Sequence, residues 1–164
     1  MAQIASIGTQ KVMDILAGPE GLAPTLAAIA IELGLEPATV PAANVTAQNV
    51  VADVLEKSAG ASYPAIQVYC ERVTNLLREK FRTFSGKARM AVEARVSQDR
   101  VEGMDAHLQV YVDSITALLD GNRGDWGQGM FYTGGYDVSY SGVRHGGRNF
   151  LQTAKVCFEI EISR

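Results

Sequence analysis

Two segments of this chain alternate apolar and polar residues in strict period two, which commits the chain to a sheet with one covered face. Over 88–96 the apolar set is Ala88, Met90, Val92, Ala94 and Val96, interleaved with Arg89, Glu93 and Arg95 and preceded by Lys87. Over 156–162 it is Val156, Phe158, Ile160 and Ile162, set off by Lys155, Glu159 and Glu161. Successive strand residues point to opposite faces, so each segment buries one side and turns charge outward. The outward charges of the two segments are opposite in sign at matching spacing. Arg89, Arg95, Glu159 and Glu161 are therefore candidates for ion pairs between copies of the chain.

A helix separates these strands. Val101, Met104, Leu108, Tyr111, Val112, Ile115, Leu118 and Leu119 form one stripe at i, i+3/i+4, i+7 spacing, which predicts a helix over 100–119. Asp99 stands where a capping carboxylate belongs, and Gly121 closes the segment. Upstream, Ile66, Val68 and Cys70 alternate after Pro64, a residue tolerated at the start of a strand. Residues 76–86 suit a short helical turn or a long hairpin arm. Downstream, Tyr136, Val138 and Tyr140 alternate after a bend at Gly134-Gly135, and Gly146-Gly147 turns the chain into a last strand over 150–162. Strands flanking a helix predict an α+β fold: an antiparallel β-sheet packed by one long amphipathic α-helix.

The first third differs in composition. Residues 1–60 contain no Phe, Tyr or Trp and hold Lys11 and Lys57 against six acids. Helical spacing recurs over 3–16 and 22–33, ended by Gly18-Pro19 and Gly34. A proline-punctuated connector over 36–42 reads as extended, and residues 44–57 fit either helix or strand. The expected organisation is an N-terminal helical extension over 1–60 and an α+β domain over 61–164. With so few large side chains, the extension should pack on that domain or on a neighbouring subunit; a free arm is the competing reading.

The residues give little support to chemistry. The glycine-rich stretch 121–129 lacks the spacing of a phosphate loop and follows a helix where such a loop precedes one. It holds the single tryptophan, Trp126, which either caps the core or anchors a subunit contact. His107 and His145 have no Cys, Asp or Glu at metal-ligand spacing, and the aspartates are scattered rather than paired. No catalytic residue, metal or cofactor is expected. Cys70 and Cys157 lie far apart in sequence and read as reduced thiols acting as small hydrophobes. The start of the chain lacks the pattern of a secretory signal, and no run of eighteen apolar residues occurs, so a cytosolic site of synthesis and no membrane contact are expected. Net charge is −3, yet residues 72–100 carry eight basic and three acidic residues. That run, with Arg78, Lys80, Arg82 and Lys87 at its centre, fits a solvated face, intersubunit ion pairs or sequence-blind contact with a DNA backbone.

Six short segments carry a family resemblance: Tyr63-Pro64-Ala65-Ile66-Gln67-Val68-Tyr69, Glu79-Lys80-Phe81-Arg82-Thr83-Phe84-Ser85-Gly86, residues 92–96 with Asp99, Asn122-Arg123-Gly124-Asp125-Trp126, Gly147-Arg148-Asn149-Phe150, and Phe158-Glu159-Ile160-Glu161-Ile162. In pattern and order, residues 63–164 resemble the neck proteins of tailed bacteriophages, and among these the tail-terminator (tail-completion) proteins. The resemblance implies a structural virion protein without enzymatic activity, assembled in the host cytoplasm. It implies a homo-oligomeric ring, commonly a hexamer, that caps the tail tube and joins it to the head. Its partners would be its own copies, the tail tube protein and a head-tail connector or stopper protein, with packaged DNA passing through the lumen. Arg89, Arg95, Trp126, Glu159 and Glu161 would lie at the subunit interface, and Arg78, Lys80, Arg82 and Lys87 would face the lumen. A collar, stopper or head-completion protein is the neighbouring reading, and a small nucleic-acid-binding module the more distant one.

Overall fold

In a computed structural model of the chain, residues 3–36, 38–57, 61–146 and 148–164 are described. Pro37 of the expected connector, Gly147 of the expected turn and the 60/61 boundary lie outside them. The alternation does what it predicts. It builds β2 (Ala65–Asn75), β3 (Ser85–Gln98) and β8 (Asn149–Ser163), with β3 antiparallel to both, paired with β8 along its whole length and with β2 over 86–95. The far edge of β8 is covered piecewise by one meandering stretch of chain. β5 (Met130–Tyr132) pairs with its C-terminal end, β6 (Tyr136–Tyr140) with its middle and β7 (Arg144–Gly146) with its start. β4 (Gly124–Gly127) adds to β5, and the two-residue β1 (Val45–Thr46) runs parallel to β2. The result is an eight-stranded, mostly antiparallel sheet in an α+β fold.

Three helices cover one face. α1 (Ile4–Ala17) lies over β2 and β3, α4 (Met104–Gly121) lies over β3 and β8, and α2 (Leu22–Glu32) packs on α4. A fourth, α3 (Ala52–Lys57), belongs to the opposite face. Close approach of α1 requires a glycine. A Cβ on Gly8 would sit 3.2 Å from Ile160 Cδ1 and 3.3 Å from Met90 Sδ, tighter than ordinary contact. The core is one cluster that draws Val12, Leu16, Leu22 and Leu26 from the first third and Met90, Val92, Leu108, Ile115, Phe158 and Ile160 from the rest. The first third is therefore docked in the chain's own core, not a free arm.

Two local expectations are corrected. The long helix begins at Met104, four residues later than its stripe suggests, and Asp99 does not cap it. The N-cap is Gly103, whose φ of 78° a glycine adopts without strain. Residues 44–57 are neither one helix nor one strand. They make a 3-10 turn (Ala42–Asn44), then β1 and α3, joined by irregular chain that crosses the sheet's second face.

Candidate functional site

The second face of the sheet, away from α1 and α4, carries the charges that the alternation turned outward. Register explains their complementarity. Lys87 stands opposite Glu161, Arg89 opposite Glu159 and Glu93 opposite Lys155, all within one subunit. The ion pairs form there. Lys87 Nζ donates to Glu159 Oε2 at 2.9 Å and Arg89 Nε to Glu71 Oε2 at 3.2 Å. Arg89 Nη2 reaches Asp137 Oδ1 at 3.0 Å, and Lys155 Nζ donates to Glu71 Oε1 at 2.7 Å. The lattice ties β2, β3, β8 and β6 together. The Lys155 hydrogen bond holds the Glu71 carboxyl below the usual carboxylate range, and the same bond raises Lys155. Beside Glu71, burial first and the carboxylate second push the Cys157 thiol up, and burial also raises Cys70. Both cysteines are free and poor thiolates.

Two of the residues assigned to a subunit interface belong to the subunit's interior instead. Arg95 is 3% exposed. Its Nε donates to Glu93 Oε1 at 2.8 Å and its Nη2 to the Val50 carbonyl at 2.6 Å. Residues 47–57 form a strap over this end of the second face, fixed further by Val50 N on Gln67 Oε1 and by an Arg144–Asp53 ion pair. Trp126 is 7% exposed. It packs against Tyr132 and Phe158 at ring-centroid distances of 5.3 and 6.2 Å, and its Nε1 donates to the Asn122 carbonyl at 2.6 Å. It caps the core and leaves almost nothing for a neighbour. Arg89 is partly exposed and Glu159 exposed, and both are already paired within the chain. Glu161 faces outward beside the half-exposed Phe131.

The basic run resolves into a projecting hairpin. Of the two readings of residues 76–86, the hairpin arm is what forms: residues 76–84 link β2 to β3. Its base is tightly organised. Asn75 Oδ1 accepts from Leu77 N and Ser85 N at 3.1 and 3.2 Å, while Asn75 Nδ2 donates to the Thr83 carbonyl. Ser163 Oγ donates to Glu79 Oε2 at 2.7 Å, and Phe84 exchanges two backbone hydrogen bonds with Arg164. A Cβ on Gly86 would lie 1.9 Å from the Thr74 carbonyl oxygen, so only glycine lets the strands close here. Above this base the loop exposes Leu76, Leu77 and, completely, Phe81. Leu77 and Phe81 hold positive φ values of 46° and 69°, a left-handed conformation that costs a side chain with a Cβ on the order of 1 kcal/mol or more. Arg78, Lys80 and Arg82 belong to the same loop, with Glu79 turned back to Arg82 and Ser163. Lys87 stands below them on β3, paired with Glu159. In the sequence the charges of this loop point to a surface role, while Leu76-Leu77 and Phe81 read only as the apolar spacing of a turn or hairpin arm; that they stand exposed is visible only in the fold.

Elsewhere the described residues hold no group of three or more His, Cys, Asp or Glu able to bind a metal ion. His107 Nδ1 lies 3.1 Å from Gln98 Oε1, and His145 stacks on Phe150 at 4.8 Å; both are exposed. No single described helix is long and apolar enough to cross a membrane. Among the described residues, much of the sheet's outer edge is open. β1 covers only Ile66 and Gln67 of β2, and β6 pairs with β8 alone. No protein-family model matches the chain, and neither does any curated protein.

Proposed function

We propose that the chain is a structural subunit of the tailed-phage neck. It acts as a tail terminator that assembles into a ring, caps the tail tube and joins it to the head. The observation that carries this reading is the hairpin over 76–84. A rigid base presents a fully exposed phenylalanine in a cation-rich loop, with Leu77 and Phe81 both held in left-handed backbone. Such a projection supports protein–protein contact. The open edges of β2 and β6 support it further, because unpaired strand edges are either guarded or joined to another chain. The family resemblance over 63–164 supplies the kind of assembly.

In this reading the chain is not an enzyme and needs no cofactor; its work is assembly. Its copies, the tail tube protein and the connector or stopper protein above are its partners, and the virion neck is its location. DNA passes through the lumen. Among the four cations assigned to it, Lys87 and Arg82 are engaged by Glu159 and Glu79, so Arg78 and Lys80 are the ones with charge to offer a partner.

The test is light scattering coupled to size exclusion on the purified chain, followed by electron microscopy of the oligomer and mass spectrometry of purified particles. A ring with sixfold symmetry and the chain's presence in virions is the expected result; twelvefold symmetry would reassign it to a collar. A strictly monomeric chain at high concentration that is missing from virions overturns the proposal.

A further inference from the structure

Resting on the reading of the chain as a self-assembling subunit, we infer that the tip of the 76–84 hairpin of one copy seats in a groove between α1 and α4 of the next. The groove lies beside the second half of α1, the turn over 18–21 and the last turn of α4. It has a volume of about 660 Å³ and is lined by Lys11, Asp14, Ile15, Glu20, Ala117 and Leu118 among others. That volume exceeds what one phenylalanine ring and a neighbouring leucine fill. Its floor offers the apolar Ile15 and Leu118, and its rim offers carboxylates.

Charge complementarity selects the hairpin as occupant. Asp14 and Glu20 are both exposed, and among the described residues neither is in an ion pair, Asp14 accepting only from Gln10 Nε2 at 2.8 Å, and Lys11 is the one basic side chain lining the groove. The C-terminal ends of α1 and α4 converge on the same place, and neither helix has a basic residue in its last turn. A helix C-terminus carries roughly half a negative charge, ordinarily offset by a nearby cation. Here two such ends and two carboxylates share one groove. The matching feature in the chain is the hairpin tip, where the uncovered Phe81 stands in a segment that also carries Arg78, Lys80 and Arg82, with Glu79 paired to Arg82. Because the tip stands in solvent, it does not occupy its own chain's groove.

The contact joins two different patches, so it is heterologous: each copy donates a knob and accepts one. Repeated, such a contact closes into a ring or runs on as a filament. The aromatic anchor supplies the burial, and the flanking cations fix orientation and exclude other seats.

The experiment places a photo-crosslinking phenylalanine analogue at position 81 of the full chain and maps the products by mass spectrometry. Crosslinks from one copy to residues 11–25 or 117–122 of another are expected. A ring that forms but crosslinks elsewhere overturns this contact while leaving the proposed function standing; no oligomer at any concentration removes both. Two variants read the same contact without the probe. Phe81→Ser should weaken self-association at least roughly tenfold with an unchanged melting curve, since the side chain touches nothing in its own subunit. Glu20→Lys should weaken it as well, and combining Glu20→Lys with Lys80→Glu should restore much of the loss. Failure of the paired reversal to rescue, or a tip that binds anionic vesicles or duplex DNA in place of a second copy, overturns the inference.

Discussion

Arg95 marks the limit of reading a side chain's surroundings from its own strand. Its parity with Lys87, Arg89 and Glu93 places it correctly on the sheet's second face. Whether that face meets water at position 95 depends on the strap over 47–57, whose mixed valine and polar pattern fits no single element. The consequence for stability is specific. Arg95→Met strips a buried partner from Glu93 and from the Val50 carbonyl, and should cost about 2–4 kcal/mol in urea unfolding. Arg89→Met, at a side chain more than a third exposed, should cost less than about 1 kcal/mol. Equal costs would mean the strap is not held as the structure shows. Trp126 makes the same point with apolar chemistry. Its sequence context allows a core cap or a subunit anchor, and only the fold, which brings Tyr132 and Phe158 to its ring, decides.

At the scale of elements, the strands were legible because period two is strong over β3 and β8, and the body of α4 because its apolar stripe is long. Strand partners were not. Complementary charges on two strands are equally consistent with neighbours in one sheet and with facing subunits, since alternation specifies a face and says nothing about which strand lies beside it. The structure makes them neighbours, and pH then becomes a probe of the lattice. Glu71, held low by Lys155, contributes stability that is present above its unfolded value of about 4.3 and is lost as pH falls through its folded value. Tyr132, pushed up to about 12 by burial, contributes stability that is present below about 10 and lost as pH rises toward 12. Chemical denaturation followed by Trp126 fluorescence should therefore show both an acid and an alkaline decline. Lys155→Met should flatten the acid limb, and on the alkaline side it should remove only the part that comes from the raised Lys155, leaving the Tyr132 part in place. An unchanged acid limb would show that Glu71 titrates without its partner.

At the scale of the whole molecule, the composition of the first third reads two ways. A segment without a single aromatic residue cannot build a large core of its own, which suggests an appendage that the rest could fold without. In the structure the first third shares the core of the rest. Ile4, Val12, Leu16, Leu22 and Leu26 are buried in the same cluster as Met90 and Ile160, with α1 covering part of the apolar sheet face and α2 packed on α4. Burying a large aliphatic side chain stabilises by about 1.5–3 kcal/mol, so five of them contribute on the order of 10 kcal/mol. A domain's whole net stability is about 5–15 kcal/mol. The 61–164 fragment should therefore fail to fold cooperatively. Circular dichroism should lack a sigmoidal melt, and Trp126 emission should sit at the wavelength of solvent-exposed tryptophan. Adding residues 1–60 back as a separate peptide should restore some structure if the face they cover is otherwise intact. A fragment with a sharp melt and blue-shifted emission would mean that α4 and the strands close the core unaided, and that the helices of the first third are held in place by the domain without holding it together.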